Sequence, residues 1–167
     1  MPRTLILNGP DILELSRVFK TGGNRPCYRG NMIGSSMWPI LRSGDGIVVE
    51  QKPEDAIRPG DILVFCGQTE KLVAHRLRRI RTDGQTRRYI PRGDFLLHDD
   101  PAIPYDALVG VVVEIERRGR SIRPSDPAQR LKTATWLLFR PVLVPCARLL
   151  GKIKQALNSK EPETKRG

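Results

Sequence analysis

The sequence is poor in three kinds of residue that commonly build functional sites. Its 167 residues include three cysteines and two histidines, and aromatic side chains account for 5% of them. Cys27, Cys66 and Cys146 are widely spaced and form no CxxC motif, which argues against a disulfide framework and against a zinc site. We therefore expect reduced, mostly buried thiols, and we expect neither a metal ion nor another cofactor.

The sequence also lacks a long apolar run. Glu14 and Arg17 interrupt the apolar residues near the N-terminus, so that segment does not approach the roughly 20 apolar residues that a transmembrane helix needs. Residues 133–139 and 141–147 are uncharged, but Arg140 separates them and the second stretch begins with a proline, which would kink a helix. We expect no membrane-spanning helix and no secretory signal.

Charge is distributed unevenly along the chain. Residues 1–116 carry 16 Lys and Arg against 15 Asp and Glu, whereas residues 117–167 carry 13 against 3. The tail therefore holds almost all of the net charge of +11. A basic segment with interleaved leucine and isoleucine is typical of a helix that lies on an anionic membrane surface. We expect that surface, and not nucleic acid, as the partner of residues 121–157; the alternative is a helix packed on the body or on another subunit.

Turn residues divide the chain into a short helix, a β-rich body and a helical tail. A helix is predicted between a Pro-Asp start at residues 10–11 and a Gly-Gly end at residues 22–23, and we expect it to pack on the body. Its predicted apolar face consists of Ile12, Leu15, Val18 and Phe19. The predicted organisation is a helical segment over 1–24, a β domain over 25–120, a basic amphipathic helical tail over 121–157 and a disordered end over 158–167.

The body has the pattern of antiparallel β-structure. Strands are predicted at residues 28–33, 47–50, 62–66, 72–81, 86–91 and 107–115, separated by Gly, Pro and Asp turns. The run at 62–66 is continuously apolar and is predicted to be buried on both faces. Asp83-Gly84 predicts a hairpin turn. Many short strands at close spacing favour a mainly β fold with a coiled or barrel-like antiparallel sheet.

One bend in the body carries a candidate nucleophile. Gly34 permits a tight turn and Pro39 fixes the backbone after it, so Ser36 is held on a rigid bend with Met37 and Trp38 as apolar neighbours. A serine nucleophile needs that placement together with a base within about 2.6–3.2 Å. Without a base, the same residues are an ordinary serine-rich turn.

Four residues could supply the base. Histidine suits general-base chemistry near neutral pH, and His75 lies in a predicted strand whereas His98 lies in a loop. Lysine is the other base compatible with serine, but Lys52 and Lys71 do not lie in apolar strands that would lower a lysine pKa. A single strand histidine is more often a structural residue than a catalytic one, so His75 by itself leaves the question open.

Five short motifs follow one another in the body. They are Gly34-x-Ser36-Met37-x-Pro39, Gly44-Asp45, His75-Arg76-Leu77, Arg92-Gly93-Asp94 and Asp99-Asp100. Over roughly residues 31–116 their order and spacing resemble the signal peptidase I family, in its archaeal and endoplasmic-reticulum branch, which has histidine where the typical bacterial branch has lysine. The resemblance implies a signal-peptidase-type fold. It also implies a serine endopeptidase that removes signal or leader peptides from precursors bound in extended form.

The resemblance assigns roles to individual residues. It makes Ser36 the nucleophile, His75 the general base, Asp100 the acid that orients the histidine and Asp94 a supporting residue of the site. Some bacterial relatives carry a hydroxyl as a second oxyanion donor where this chain has Gly34. The sequence shows no N-terminal membrane anchor of the kind usual in the family, so we expect a location that is membrane-associated through the tail, or cytoplasmic.

Two other functions stay open at this point. The Gly34-x-Ser36-Met37 motif is also similar to self-cleaving regulators of the SOS-repressor type, which use a lysine base and usually carry an N-terminal DNA-binding or regulatory segment. The roughly 25 residues before the β domain are too few for a helix-turn-helix domain. The other alternative is a non-enzymatic module whose basic tail binds membrane lipid or nucleic acid.

Overall fold

The computed structural model of the chain describes residues 9–21, 27–67, 71–84 and 86–158, with residues 147–158 as helix backbone only. In these residues two helices flank eight strands of one sheet. The helices are α1 (Gly9–Thr21) and α2 (Pro127–Asn158). The strands are β1 (Cys27–Asn31), β2 (Gly46–Glu50), β3 (Ile62–Cys66), β4 (Leu72–Asp83), β5 (Thr86–Arg92), β6 (Ile103–Pro104), β7 (Leu108–Arg117) and β8 (Arg120–Ile122). The prediction of a mainly antiparallel β fold with a helix at each end is confirmed.

The sheet is open. Its strand order is β1-β2-β7-β3-β4-β5-β6, with β8 paired to β7, and every pair is antiparallel. In the described part of the chain β1 and β6 are the two ends of this order, so the barrel-like alternative is wrong in its closed form. Six predicted strands correspond to β1–β5 and β7. Sequence periodicity missed β6 and β8 because two or three residues are too short to show alternation.

β3 divides the hydrophobic core into two parts. Ile62 and Val64 belong to one buried cluster, whereas Leu63 and Phe65 belong to another. The prediction that this strand is buried on both faces is therefore confirmed. The first cluster also contains Met37 and Leu41, two residues of the serine bend. Burying such side chains contributes about 1.5–3 kcal/mol each, so the core itself fixes the bend.

α1 packs on the sheet through a different face from the one that its apolar residues predict. Leu15 is exposed and Val18 is 63% exposed, so that part of the prediction is wrong, whereas Ile12 packs against the core. Polar contacts add to this packing: the buried Ser16 hydroxyl, which donates a hydrogen bond to the Leu13 carbonyl at 2.7 Å, also lies 3.4 Å from the Leu108 carbonyl at the start of β7. The Ser16 carbonyl accepts a hydrogen bond from the Gln51 side chain at 2.6 Å. Leu108 and Gln51 are distant from Ser16 in sequence, which is why helical periodicity did not reveal these contacts.

Lys20, at the end of α1, makes the free energy of unfolding of the protein depend on pH. Its Nζ donates to the carbonyls of Tyr105 and Leu108 at 2.7 and 2.6 Å, and burial lowers the pKa of Lys20 to about 8, although Asp106 opposes the shift. Between pH 8 and the ordinary pKa of 10.5, the folded state binds fewer protons than the unfolded state, so the free energy of unfolding rises with pH. The difference in that free energy between wild type and Lys20→Met should therefore move in favour of wild type from about pH 7 to about pH 10. Urea unfolding measures it; a difference that stays constant across this range contradicts the assignment.

α2 begins later than the predicted tail and is one helix throughout. The first tail residues form β8, and Pro141 and Pro145 both lie inside α2. Arg140 and Val144 are buried. The exposed apolar side chains of its described part are Leu131, Leu138, Phe139, Val142 and Leu143. Asn158, predicted to begin the disordered end, is the last helical residue, and the rest of that prediction lies outside the described residues.

Two sequence predictions about the surface have different outcomes. Among the described residues, none of the helices is both long and apolar enough to cross a membrane. The three cysteines are free, as predicted, but Cys27 and Cys146 are exposed and Cys66 is half-buried. The prediction that the thiols are mostly buried is wrong.

Candidate active site

The serine bend has the local geometry that its residues favour. Gly34 has a φ of +107°, a backbone conformation that residues with a Cβ rarely adopt. The Trp38 N–H then donates to the Ser35 carbonyl at 3.0 Å, and the Leu41 N–H donates to the Met37 carbonyl at 3.0 Å. The chain therefore turns back on itself around Ser36 and presents the Ser36 hydroxyl at the turn.

The far end of the bend is held by a half-buried ion pair. Asp45 accepts hydrogen bonds from Arg117 of β7 at 2.8 and 2.5 Å and from the Arg42 N–H at 2.7 Å. Burial disfavours the charged carboxylate, but these hydrogen bonds outweigh it and lower the pKa of Asp45. Asp45 of the Gly44-Asp45 motif thus fixes the backbone where the bend leads into β2.

Ser36, His75 and Asp100 form a continuous chain of hydrogen bonds. His75 Nε2 lies 2.9 Å from Ser36 Oγ, and His75 Nδ1 lies 2.6 Å from Asp100 Oδ2. An ionised carboxylate can only accept, so Nδ1 carries the proton and Nε2 offers its lone pair to the serine hydroxyl. These are the tautomer and the contact that a general base needs to activate a serine.

Three elements distant in sequence supply these side chains. Ser36 comes from the bend, His75 from β4 and Asp100 from the loop after β5. The Asp100 N–H donates to the Pro91 carbonyl at 2.9 Å, which anchors that loop to the end of β5. The His75 ring also meets the Phe65 ring edge-on, with centroids 6.2 Å apart. The imidazole is therefore restrained at both nitrogens and along its face.

The structure distinguishes the three candidate acids. Asp94 is 1% exposed and accepts two hydrogen bonds from Arg76, at 2.8 and 2.7 Å. Asp99 accepts from Arg79 at 3.1 Å and from Arg92 at 2.7 Å. Asp100 is therefore the acid bonded to His75, and Asp94, which the resemblance makes a supporting residue of the site, is bonded to Arg76.

Asp94 supports the site through its backbone and its neighbours. The Phe95 N–H donates to the Ser36 carbonyl at 2.8 Å, and the Asp94 N–H points at Met37 Sδ at 3.4 Å. A Cβ at Gly93 would lie 2.6 Å from the Ser36 carbonyl oxygen, so the close approach of the two loops requires glycine there. Gly93 and Asp94 therefore hold the loop on which Ser36 lies.

α2 reaches the same loop from outside the sheet. Trp136 Nε1 donates to the Asp94 carbonyl at 3.1 Å. Its ring meets the Trp38 ring edge-on with centroids 5.3 Å apart, and Trp38 meets Phe95 in the same way at 5.8 Å. Local sequence patterns do not predict these contacts, because Trp136 is 42 positions from Asp94 and still further from Trp38. Arg76 could have been noticed as a charged residue that follows His75 inside an apolar strand.

The other candidate bases are not bonded to Ser36. His98 is exposed, and the Lys52 carbonyl accepts from the Tyr105 hydroxyl at 2.7 Å. Lys71 lines the cleft described next, and the side chain that accepts a hydrogen bond from Ser36 Oγ is that of His75. In the part of the chain that the structure describes, no group of three or more His, Cys, Asp or Glu side chains could hold a metal ion.

An apolar cleft is lined by residues that precede Ser36 and His75 in the chain, although neither Ser36 nor His75 lines it. Its volume is about 740 Å³. Its walls include residues just before Ser36 and residues just before His75, together with side chains of the sheet between them. The lining includes Tyr28, Met32, Ile33, Leu72, Val73 and Ala74. Since β1 is an edge strand among the described residues, one side of β1 pairs with no other described strand, and the cleft adds apolar walls beside it.

The buried pair of Arg76 and Asp94 gives the largest expected change in stability. Arg76→Met leaves the Asp94 carboxylate buried and unpaired, so the free energy of unfolding should fall by about 3–5 kcal/mol. Arg79→Met, which breaks a pair whose arginine side chain is 56% exposed, should cost less than about 1 kcal/mol. Urea unfolding of both variants measures the contrast. The double variant Arg76→Met with Asp94→Leu should recover most of the loss, because no charge is then left buried; equal losses in the two single variants would contradict a structural role for this pair.

The functional interpretation of the site depends on its geometry, because the comparisons with known proteins add nothing to it. No protein-family model, no curated protein and no solved structure matches the chain.

Proposed function

We propose that the chain is a serine endopeptidase that removes signal or leader peptides from precursor proteins, on a signal-peptidase-type fold. The single observation that supports this most strongly is the hydrogen-bonded series from Asp100 through His75 to Ser36, with distances of 2.6 and 2.9 Å. It joins residues that the ordered motifs had assigned to these roles.

The mechanism follows from the protonation of this series. His75 Nε2 takes the proton of Ser36 Oγ as the oxygen attacks the carbonyl carbon of the scissile peptide bond. The resulting imidazolium is stabilised by Asp100 and gives its proton to the leaving amine, which departs with the downstream part of the substrate. Water then attacks the ester on Ser36 with His75 again as base, and the acid product leaves. Each group returns to its starting protonation state.

The oxyanion formed during attack needs hydrogen-bond donors. Among the described residues nothing accepts a hydrogen bond from the Ser36 N–H, so this donor is available on the same residue as the nucleophile. Gly34 offers no hydroxyl, and its backbone lies two residues away on the same bend. One preorganised donor typically contributes about 10²–10³-fold to the rate.

The cleft favours a substrate in extended conformation. A peptide laid beside the edge of β1 gains backbone hydrogen bonds from the strand, while alternate side chains enter the apolar walls. Ile33 is 89% exposed and lines this cleft. A bound apolar segment would cover it, which suits the apolar stretches of signal and leader peptides.

The tail supports a location at an anionic membrane surface. Leu138, Phe139 and Val142 of α2 are exposed, and residues 117–167 carry 13 basic against 3 acidic residues. An exposed apolar face with excess positive charge binds anionic lipid through both burial and attraction. Nucleic acid would use the charge but not the apolar side chains. Co-sedimentation with anionic vesicles, against neutral vesicles and duplex DNA, tests this location.

Cleavage of a peptide library by the purified chain tests the proposed activity. Mass spectrometry of the products should show hydrolysis at one recurring sequence pattern, since the cleft fixes the residues before the scissile bond. The chain incubated alone should keep its full mass. Two fragments from the chain alone would favour a self-cleaving regulator instead. An intact library, in the presence and absence of anionic vesicles, would contradict the proposal.

A further inference from the structure

Trp136 of α2 connects the two loops that hold Ser36. Its Nε1 donates a hydrogen bond to the Asp94 carbonyl at 3.1 Å, and its ring meets the Trp38 ring edge-on with centroids 5.3 Å apart. Asp94 belongs to the loop after β5, whereas Trp38 belongs to the serine bend. An indole N–H is a donor only, so the carbonyl orients the ring, and edge-on ring contacts are favourable beyond the area that they bury. One side chain therefore joins α2 to both loops.

Both contacts of Trp136 lead to the backbone of Ser36 within one further step. The residue after Asp94 is Phe95, whose N–H donates to the Ser36 carbonyl at 2.8 Å. The Trp38 N–H donates to the carbonyl of the residue before Ser36 at 3.0 Å, and the Phe95 and Trp38 rings meet edge-on at 5.8 Å. A displacement of Trp136 therefore moves the backbone that carries the nucleophile, although its own hydrogen bond goes to a backbone carbonyl and not to a reacting group.

These three rings lie outside the core of the β domain. Among the described residues, neither of the two buried core clusters contains Trp38, Phe95 or Trp136. Trp38 is 43% exposed, and Val144 farther along α2 is fully buried, so the helix has an anchor besides Trp136. A change at Trp136 should therefore leave the core and the attachment of α2 in place and alter the placement of the two loops.

We propose that Trp136 is a positioning residue through which α2 sets the reactivity of Ser36. The inference rests on the proposed peptidase function, and it makes the tail part of the catalytic unit. Attack requires the Ser36 oxygen to face both His75 and the substrate carbonyl, and a misplacement of about 1 Å can lower the rate by about 10²-fold. Loss of the bond from Trp136 Nε1 to the Asp94 carbonyl releases one side of the loop whose next N–H holds Ser36.

The reaction of Ser36 with a fluorophosphonate tests this role without a peptide substrate. Ser36 Oγ forms a bond to phosphorus, fluoride leaves and His75 takes the serine proton, so the rate of the mass increase reports how well the nucleophile is activated. Measured well below the melting temperature of each protein, Trp136→Phe should label about tenfold more slowly than wild type, and Trp136→Leu about 10²-fold more slowly. The first variant loses the N–H, and the second also loses the ring. Leu138→Ala, at an exposed position of the same helix, should keep the wild-type rate.

Peptide cleavage separates positioning from a merely structural role. In Trp136→Phe kcat should fall with KM unchanged, because Trp136 is not among the residues that line the cleft. A merely structural contact would lower the melting temperature and leave both labelling and kcat as in wild type while the protein is folded. Labelling of Trp136→Phe at the wild-type rate overturns this inference alone, whereas wild type that is not labelled at Ser36 overturns it together with the peptidase proposal. Trp136→Phe keeps an aromatic ring, so it decides the question if Trp136→Leu does not fold.

Discussion

Ser36→Ala should lower kcat for peptide cleavage by about 10⁶-fold, the loss seen when a serine protease loses its nucleophile. The reason is that Ser36 Oγ, 2.9 Å away, is the hydroxyl bonded to His75 Nε2 in the part of the chain that the structure describes. The substrate should still bind, because the cleft does not involve this hydroxyl. The measurement is kcat and KM on the best peptide from the library, with intact protein mass as a check.

The matched control for this variant is Ser35→Ala. Ser35 is exposed and belongs to the same bend, and its contribution there is a backbone carbonyl that accepts from the Trp38 N–H. Ser35→Ala should therefore keep kcat within a few-fold of wild type. Both variants should unfold at the same urea concentration as wild type. Cleavage that survives in Ser36→Ala, or that disappears equally in both variants, removes Ser36 as the nucleophile.

The contact between Ser36 and His75 was expected only from the resemblance of the ordered motifs to a known family, since the residues themselves do not show that the two side chains meet. Each motif specifies a local backbone: Gly34 at positive φ, and Gly93 where a Cβ would strike the Ser36 carbonyl. The antiparallel register then brings strand β4 beside the bend. Periodicity alone would not have joined two residues 39 positions apart, since alternation tells only which face of a strand a side chain occupies.

The parts that the sequence did not reveal depend on long-range polar contacts. α1 is held partly through polar contacts of Ser16 and Lys20 with the Leu108 carbonyl about 90 residues away, and only the part of its apolar stripe at Leu15 and Val18 faces outward. Trp136 reaches Asp94 through a contact that only the folded chain creates. Likewise, an open sheet and a closed one share the same short apolar strands. They differ in whether the two edge strands pair with each other, and local hydrophobicity does not encode that pairing.

Asp100→Asn should lower kcat by about 10⁴-fold, as the same change does in serine proteases with this hydrogen-bond series. The volume is nearly unchanged, so the cause is the position of a proton. An asparagine amide can donate to His75 Nδ1 and thereby stabilise the tautomer with its proton on Nε2. That nitrogen then faces Ser36 Oγ as a donor and cannot take the hydroxyl proton. KM should change little, since Asp100 does not line the cleft.

The pH profile distinguishes this explanation from a merely structural role of Asp100. In Asp100→Asn the residual activity should rise with pH further into the alkaline range than in wild type, because hydroxide then replaces the missing base. A variant that was only partly unfolded would have a lower kcat at every pH, and the shape of its pH profile would stay as in wild type. Asp106→Asn, at an exposed acid beside α1, serves as the control and should leave both kcat and the profile as in wild type. If Asp100→Asn retains wild-type kcat, the carboxylate 2.6 Å from His75 Nδ1 has no part in setting the tautomer, and the proposed general base loses its orienting acid.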